Sequence, residues 1–312
     1  MLHFKGNGRK PAAWTVMQIL ALSYALTPVA RADEPPATTA ASEAAPDKWQ
    51  YTLLNPTPTA TLRGMDTDRP NVTNTPHTID AGHLQIETGL IDYTNDRKHS
   101  SGTTYRSDDF AFAASNFRLG VLNNLEINAV IVPYAIDQTH DLSDKTSNYA
   151  SGFGDTIVGA KLNLWGNEGG DAPWLTGLAL QPQLKFGTAS NGLGNGRFEF
   201  SIAVPFLMNL PQGFHLGLQP GVSLQRNSAN DGNVAGMQDS ISIDRVLIAN
   251  LDIYLEYAAA VTTEKHTQAV QTLDVGGTYP FNDNITLDAG VALGLDNASP
   301  DVQVLAGISV RF

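Results

Sequence analysis

The chain has 312 residues, 16% of them charged and none of them cysteine, and its formal net charge is −12. The acidic balance argues against nucleic-acid binding, which needs a basic surface. The lack of cysteine excludes disulfides, thiol catalysis and cysteine–metal sites. The mean hydropathy of −0.15 is too low for a bundle of membrane helices. A transmembrane β-barrel has such an ordinary average, because its strands are half apolar and half polar.

Residues 1–32 have the features of a secretory signal. Three cations open the stretch, namely Lys5, Arg9 and Lys10. A short apolar run follows at 12–26, and Ala30-Arg31-Ala32 offers a small-residue cleavage site. A single membrane anchor is the alternative, which the short apolar run and Pro28 disfavour. Cleavage would lower the net charge to −16, because residues 1–32 contain four cations and no acids.

Residues 33–82 are predicted to form a periplasmic extension ahead of the barrel. Their first part is rich in Pro, Ala, Thr and Ser, a composition typical of flexible linkers. The stretch 47–54 is more apolar and ends at Asn55-Pro56-Thr57-Pro58. It has two interpretations, a loosely ordered extension or a piece that docks on the barrel or plugs its lumen. We take the loosely ordered extension as the expectation.

Alternation of apolar and polar residues predicts the fold of residues 83–312. The alternation recurs in about twelve stretches, most of them long enough to cross a bilayer as tilted strands, for which ~9–11 residues suffice. The predicted strands cover about 83–95, 104–119, 124–137, 152–164, 174–186, 197–208, 213–225, 238–248, 250–262, 267–279, 285–295 and 302–312. The fold class is therefore all-β, a transmembrane antiparallel up-and-down β-barrel of about twelve strands.

The connections between the predicted strands are sorted by length. Short ones lie at 120–123, 166–172, 210–212, 249 and 280–283, and they alternate with longer ones at 96–103, 138–151, 187–196 and 226–237. An even number of strands brings both chain ends to the same side. Short periplasmic turns and longer extracellular loops are typical of barrels in the outer membrane of Gram-negative bacteria, which is the predicted location.

Two irregularities lie inside the predicted strands. Four prolines, Pro133, Pro182, Pro205 and Pro220, would each remove a hydrogen bond from a closed sheet. We therefore expect bulges or shifted strand ends at these positions. In the eighth strand, Asp244 and Arg245 must face opposite sides of the wall.

The inward-facing positions of the predicted strands contain most of the candidate functional residues. They are Glu87, Glu126, Asp155, Lys161, Lys185, Glu199, His215, Asp252, Glu256, Asp274, Asp288 and Arg311. These side chains could line a pore, or they could form cross-strand ion pairs that fill a narrow lumen. Twelve strands lie between the ~8 that leave a filled core and the ~16–18 that leave an open channel. Both interpretations therefore stay open.

Enzymatic chemistry is not predicted. A hydrolase needs a serine activated by a histidine that an Asp or Asn orients. His215 and Ser223 share one strand face, but eight residues separate them by about 27 Å. We predict no catalytic residue, no metal ligand and no cofactor, and keep an outer-membrane lipid hydrolase as a less favoured alternative. The terminal Phe312 is predicted to be an assembly signal read by the barrel assembly machinery.

Several short stretches, taken in order, resemble one protein family. They are TDRPN at 67–71, HLQIETG at 83–89, GFGD at 152–155 with Lys161, LKFG at 184–187, and the end of the chain from 287 to 312. From about residue 47 onward the chain is similar to the outer-membrane family named for a role in the meta-cleavage pathway of phenol degradation. The resemblance implies passage of small molecules, with aromatic compounds as candidates, through a barrel surrounded by outer-membrane lipid.

Overall fold

The computed structural model describes residues 47–100, 103–168, 176–190, 192–248 and 250–312. The predicted signal peptide and residues 33–46 of the predicted extension lie outside these residues. Within the described ranges, helical structure consists of two 3-10 turns, Thr59–Thr61 and Pro211–Gly213. No helix in this part of the chain is long and apolar enough to cross a membrane.

Fifteen β-strands follow one another along the described chain. They are β1 (Leu84–Ser100), β2 (Thr103–Leu122), β3 (Leu125–Ile131), β4 (Tyr134–Asp141), β5 (Thr146–Gly152), β6 (Thr156–Trp165), β7 (Gly177–Phe186), β8 (Glu199–Ala203), β9 (Phe206–Leu210), β10 (Phe214–Arg226), β11 (Asn233–Ile248), β12 (Leu251–Thr262), β13 (Val270–Asn282), β14 (Ile285–Gly294) and β15 (Val302–Arg311). Three wall strands are each interrupted and are therefore counted twice in this series. The two halves are β3 and β4, β5 and β6, and β8 and β9, and both halves pair with the same neighbouring wall strand. The wall therefore has twelve strands.

The sheet closes on itself between its first and last strands. Gln85 of β1 lies opposite Arg118 of β2 on one side and opposite Arg311 of β15 on the other. All of these strand pairs are antiparallel, and each wall strand neighbours the next one in sequence. The predicted twelve-strand antiparallel up-and-down barrel is confirmed.

The barrel is apolar outside and polar inside. Large apolar side chains such as Ile127, Leu164 and Leu255 are exposed on its outer face. Apart from prolines and glycines, only five apolar residues are buried in the described part of the chain. Side chains that are less than 2% exposed include Arg118, Lys161, Gln85, Glu87, Glu126 and Glu256. Apolar side chains outside and charged side chains inside are the reverse of a soluble protein, and a barrel surrounded by lipid requires this arrangement.

Two of the four prolines lie where a wall strand is interrupted, so they remove no hydrogen bond from the sheet. Pro133 lies between β3 and β4, and Pro205 lies between β8 and β9, so the expected irregularity is confirmed at both. Pro220 stays within β10 but faces the second break, where its carbonyl accepts the Val204 amide at 2.9 Å. Pro182 stays within β7, and the β6–β7 register skips the two β6 residues beside it, 160 and 161.

Two of the predicted long loops are wrong. The stretch 96–103 is mostly strand, since β1 continues to Ser100 and β2 begins at Thr103. The stretch 138–151 is mostly the hairpin of β4 and β5, whose pairing runs from Ala135 opposite Gly152 to Asp141 opposite Thr146. Beyond the lipid both faces of a strand meet water, so the hydrogen-bonded ladder continues after the apolar alternation has ended.

The opposed charges of β11 face opposite sides, as predicted. Asp244 contacts the His215 ring nitrogen Nδ1 inside the barrel at 2.8 Å. The guanidinium of Arg245 lies 4.9 Å from the centre of the Phe214 ring on the outer face. Stacking on an aromatic ring lets a cation lie at the edge of an apolar surface.

Deletion of Phe312 is expected to reduce assembly of the barrel. The Phe312 amide donates to the Leu84 carbonyl at 2.8 Å, which joins the last residue to the first strand. Its side chain is 67% exposed and contributes little to packing, so recognition during assembly is its expected role. The measurement is the fraction of heat-modifiable folded protein in outer membranes. Phe281→Ala removes an equally exposed aromatic as the control, and normal insertion of the Phe312 deletion would contradict the expectation.

Candidate functional site

Residues 47–82 lie at one end of the barrel and inside it. Thr52 forms a bridge with Leu122, and the Leu53 amide donates to the Val121 carbonyl at 2.8 Å. Residues 47–82 belong to the same compact unit as the barrel. They therefore differ from the expected loosely ordered extension, because their polar groups find buried partners on the wall. We call residues 63–80 the luminal segment.

The luminal segment contacts strands all around the wall. Its side chains and backbone bond to residues that lie on β1, β2, β3, β6, β7, β10, β12 and β14. These wall residues are Glu87, Arg118, Glu126, Lys161, Gln181, Gln219, Glu256 and Asp288. A segment held by strands on opposite sides of a closed barrel must occupy the lumen.

Arg118 is the centre of a buried ion-pair cluster that fixes the luminal segment. Its guanidinium lies 2.8 Å from Glu87 on β1 and 2.8 Å from Glu126 on β3. It also donates to the His77 carbonyl at 3.0 Å. Lys161 completes the cluster from β6, with its Nζ 2.7 Å from Asp68. All five side-chain charges are screened from bulk water, so each depends on its partners.

The part of the luminal segment that reaches deepest into the barrel, residues 72–74, is held through its backbone. We call these residues its inner end. The Glu256 carboxylate on β12 accepts the Val72 amide at 2.8 Å and the Thr73 amide at 2.7 Å. Gln219 on β10 accepts the Asn74 amide at 2.9 Å and donates to the Val72 carbonyl at 2.9 Å. Backbone contacts of this kind fix the path of the chain independently of its side chains.

Arg69 joins the luminal segment to the part of the wall where the sheet closes, between β14 and β1. Its guanidinium lies 3.2 Å from Asp288 on β14 and 3.3 Å from Asp92 on β1. Burial by itself would lower the pKa of Arg69, but the attraction of Asp288 and Asp92 outweighs it and raises the pKa. Arg69 therefore carries its charge inside the barrel at any physiological pH.

A second ion-pair group lies at the end of the barrel where the luminal segment enters, which we call the mouth. Asp80 is contacted by Lys48 at 3.2 Å and by Arg63 at 3.3 Å, and both cations also reach Glu168. Arg311, from the last strand, donates to the Arg63 carbonyl at 2.7 Å. The two ends of the luminal segment are thus tied together where the segment enters the barrel.

Cavities lined by described residues flank the luminal segment, among them three of about 220 Å³ or more. The cavity at the mouth measures about 700 Å³ and is lined by residues near Lys48, Arg63 and Arg311. The middle cavity, about 370 Å³, lies between the luminal segment and the wall around His215 and Asp252. A third, about 220 Å³, lies beyond the inner end of the luminal segment, beside residues 72, 219 and 258–260. The luminal segment narrows the lumen without filling it.

Asp66 and His77 separate the first two cavities. Both residues line the mouth cavity and the middle cavity, and the Asp66 carboxylate lies 2.7 Å from His77 Nδ1. Enclosure in the barrel would raise the pKa of Asp66, although 44% of its side-chain surface is open to the cavities. Bonds and charge from His77, together with Thr75 and Arg118, outweigh this and hold the pKa of Asp66 below its usual range.

The structure distributes the predicted lumen-facing residues among several groups. Six of them bind the luminal segment through side chain or backbone, namely Glu87, Glu126, Lys161, Glu256, Asp288 and Arg311. Three more form a separate group, in which Lys185 lies 3.3 Å from Asp155 and 2.8 Å from Glu199. His215 and Asp252 line the middle cavity. Asp274 is buried opposite Glu256, and Arg311 lies at the mouth. A role in conduction stays a prediction for all twelve.

Several residues of the site were missed by sequence reasoning. Arg118 lies between Phe117 and Leu119, an alternation that places it inward, but the apolar pattern of its strand is weak. Asp68 and Arg69 lie in the TDRPN stretch and were not assigned to the lumen. Asp244 was identified only as an irregularity. No local pattern indicates that residues 63–80 return into the barrel.

Gly120→Ala is expected to displace the end of the luminal segment. A Cβ on Gly120 would overlap the carbonyl oxygen of Asp80, whose backbone cannot move without breaking the mouth contacts. Overpacking of this kind costs about 1–3 kcal/mol. The measurement is the midpoint of heat-induced unfolding, which should fall. Gly64→Ala is the control, because its Cβ would meet open space; equal midpoints for both variants would contradict the tight contact.

A closed barrel with an apolar outer face and a polar lumen defines an outer-membrane β-barrel. The chain belongs to the family described as "Putative MetA-pathway of phenol degradation", whose model matches residues 67–312. The match begins inside the luminal segment, twenty residues later than the resemblance in the sequence suggested. The inner end of the luminal segment is therefore part of the region that defines the family. No curated protein sequence matches the chain.

Solved structures similar to the chain are outer-membrane barrels. The COG4313 outer membrane channel from Pseudomonas putida F1 has a TM-score of 0.54 at 11% identity, over 74% of this chain and 95% of that one. The NanC porin gives 0.44 at 11% identity, over 73% and 98% of the two chains. The CymD monoaromatic hydrocarbon channel gives 0.40 at 10% identity, over 73% and 87%. At 11% identity, the similarity to the COG4313 channel supports the fold alone.

Proposed function

We propose that the protein is a passive channel for small molecules, with aromatic compounds as candidate solutes. The observation that carries the proposal is the series of cavities beside the luminal segment. The two larger cavities, of about 370 and 700 Å³, lie within the ~300–1,000 Å³ of sites that hold small molecules. A wide pore would have no need of a segment held by buried charges.

The luminal segment gives the proposed channel its selectivity. It confines a solute to the space between residues 66–77 and the wall from β9 to β13. The polar lining there includes Asp66, Asp244 and Asp252, with Arg69 compensated by two carboxylates. We infer that neutral hydrogen-bonding solutes and small cations pass more easily than anions. We propose that, among the predicted residues, His215 and Asp252 in the middle cavity and Arg311 in the mouth cavity contact a passing solute.

The comparisons support the proposal by analogy. The COG4313 protein is named a channel, and its fold is the one found here. The family description refers to phenol degradation, which makes aromatic compounds reasonable first solutes to test. We propose further that the barrel assembly machinery inserts the chain, and that it binds no nucleic acid.

A structural barrel with a filled lumen is the second candidate function. It is favoured by the buried network around Arg118, which ties the luminal segment to three strands at once. An enzymatic role is not proposed. In the described residues, His215 is bonded to Asp244, and no hydrogen bond joins this pair to a serine.

Single-channel recording in planar bilayers separates the two candidates. The channel proposal predicts discrete conductance steps that are smaller than those of wide porins. Swelling of liposomes that contain the protein, measured in series with phenols, sugars and amino acids, then ranks the solutes. The absence of any conductance and of any swelling would reject the channel and leave the structural barrel.

A further inference from the structure

The outer face of β1, β2 and β4 carries an aromatic cluster at one height. Asp92 contacts Arg69 in the lumen, so its neighbour Tyr93 faces outward, as alternation in a strand requires. The Tyr93 and Phe110 rings are 4.8 Å apart, and Phe112 lies 6.1 Å from Phe110 and 6.2 Å from Tyr134. Such aromatic groups are typical of the boundary between lipid chains and headgroups.

A row of basic residues crosses the same three strands above the aromatic cluster. Arg97 of β1 lies opposite Arg106 of β2, and Arg106 lies opposite His140 of β4. Each is an even number of residues from an aromatic of the cluster on its own strand, so all three face outward. We call Arg97 and Arg106, which carry the fixed charges of this row, the outer cationic row.

The height of the outer cationic row corresponds to lipid headgroups. From Leu84 to Tyr93 the outward face of β1 is largely apolar, and nine residues at ~3.3 Å with a tilt of ~40° span about 23 Å, close to the ~25 Å apolar band of such barrels. Arg97 lies four residues further along, about 10 Å above that band by the same geometry. This is where the phosphates of a bilayer lie.

The outer cationic row lacks sufficient counter-charge in the protein. Like charges directly opposite one another on neighbouring strands destabilise a sheet. Arg106 is paired with both carboxylate oxygens of Asp108, with its Nε 2.8 Å from Oδ2 and its Nη2 donating to Oδ1 at 2.9 Å, so the two arginines share a single acid. Arg97 is exposed, and no side-chain partner for it is found among the described residues. An anion placed between the two guanidinium groups would remove their repulsion.

We propose that the outer cationic row binds a phosphate group of the phosphorylated glycolipid that forms the outer leaflet of the outer membrane. Guanidinium groups bind phosphate through paired hydrogen bonds, which suits two arginines at adjacent positions. The acyl chains of the same lipid would lie against the aromatic cluster and the apolar band below it. The combination of a cationic row and an apolar surface fits a lipid better than a free phosphate ion. The proposal is independent of whether the lumen conducts.

Native mass spectrometry of the purified barrel with added bisphosphorylated lipid A tests the proposal. Arg97→Gln with Arg106→Gln should weaken binding about 30-fold, if each surface cation contributes as basic residues near anionic lipid generally do. Arg97→Lys with Arg106→Lys should retain most of the binding. Arg197→Gln with Lys265→Gln is the matched control, because it removes two exposed cations at the same end but away from the row.

Three outcomes would overturn the proposal. One is equal binding by the wild type and the Arg97→Gln, Arg106→Gln variant, provided that the variant keeps its heat-modifiable folded form. Another is equal binding of lipid A from which the phosphates have been removed. The third is full displacement of lipid A by inorganic phosphate at the same concentration, which would indicate a simple anion site.

Discussion

Replacing Arg118 with alanine is expected to release the luminal segment and strongly destabilise the barrel. The change would leave Glu87 and Glu126 buried, and among the described residues Lys161 would be the one cation left beside them and Asp68. Removing one partner of a buried ion pair typically costs about 3–5 kcal/mol, because the remaining charge stays desolvated. The measurement is the free energy of unfolding by urea in lipid vesicles, with tryptophan fluorescence as the signal.

Two variants make the Arg118 experiment specific. Arg226→Ala removes an arginine that forms hydrogen bonds to Asn230 and Asn233 near the rim, and it should leave the free energy of unfolding nearly unchanged. Arg118→Met combined with Glu87→Gln and Glu126→Gln removes the opposing charges together and should recover much of the loss. A loss below about 1 kcal/mol for Arg118→Ala, the range of an exposed ion pair, would show that the cluster does not hold the luminal segment.

Removal of residues 33–80 is expected to widen the channel several-fold in conductance. The deletion takes away the luminal segment and joins the cavities that it now separates. It also leaves Glu87, Glu126 and Glu256 on the wall without their backbone partners, so the widened lumen should prefer cations. The measurements are single-channel conductance and reversal potential in a salt gradient.

A smaller deletion is the control for this experiment. Removing residues 33–46 shortens the chain by its linker-like part and keeps residues 47–82 in place. Its conductance should equal that of the full chain. If the two deletions behaved alike, the luminal segment would not be the element that restricts passage.

The barrel could be predicted because each wall strand carries its own signal. The outward face of β14 must be apolar wherever lipid surrounds it, so Leu287, Val291 and Leu293 alternate with smaller or polar residues regardless of the rest of the chain. Strand number and the position of both ends follow from counting such stretches. The signal stops where the lipid stops, which is why the extensions of β1, β2, β4 and β5 were predicted as loops.

The luminal segment could not be predicted in the same way. Its contacts are between single polar groups that are far apart in sequence, such as Val72 with Glu256 or Arg69 with Asp288. A buried carboxylate that accepts two backbone amides places no requirement on the side chains that it binds. Residues 63–80 therefore have the composition of a loop, and only the three-dimensional path shows that their polar groups replace water inside the barrel.

Arg118 illustrates an intermediate case. Alternation with Phe117 and Leu119 places it on the inner face, so its position could have been inferred. Its role could not, since this depends on Glu126 from the next wall strand and on the His77 carbonyl from the luminal segment. Alternation along a strand shows that a side chain faces the lumen, whereas the packing of the whole lumen determines its partners.

Chemical modification of a single cysteine beside the luminal segment tests the proposed route most directly. Asn71 lines the middle cavity, and the natural chain has no cysteine to interfere. With Asn71→Cys, a cationic methanethiosulfonate reagent is expected to lower the single-channel current in a stepwise manner. Val158→Cys, which is exposed on the outer face, should show no change. An unchanged current through fully labelled Asn71→Cys protein would contradict passage beside the luminal segment.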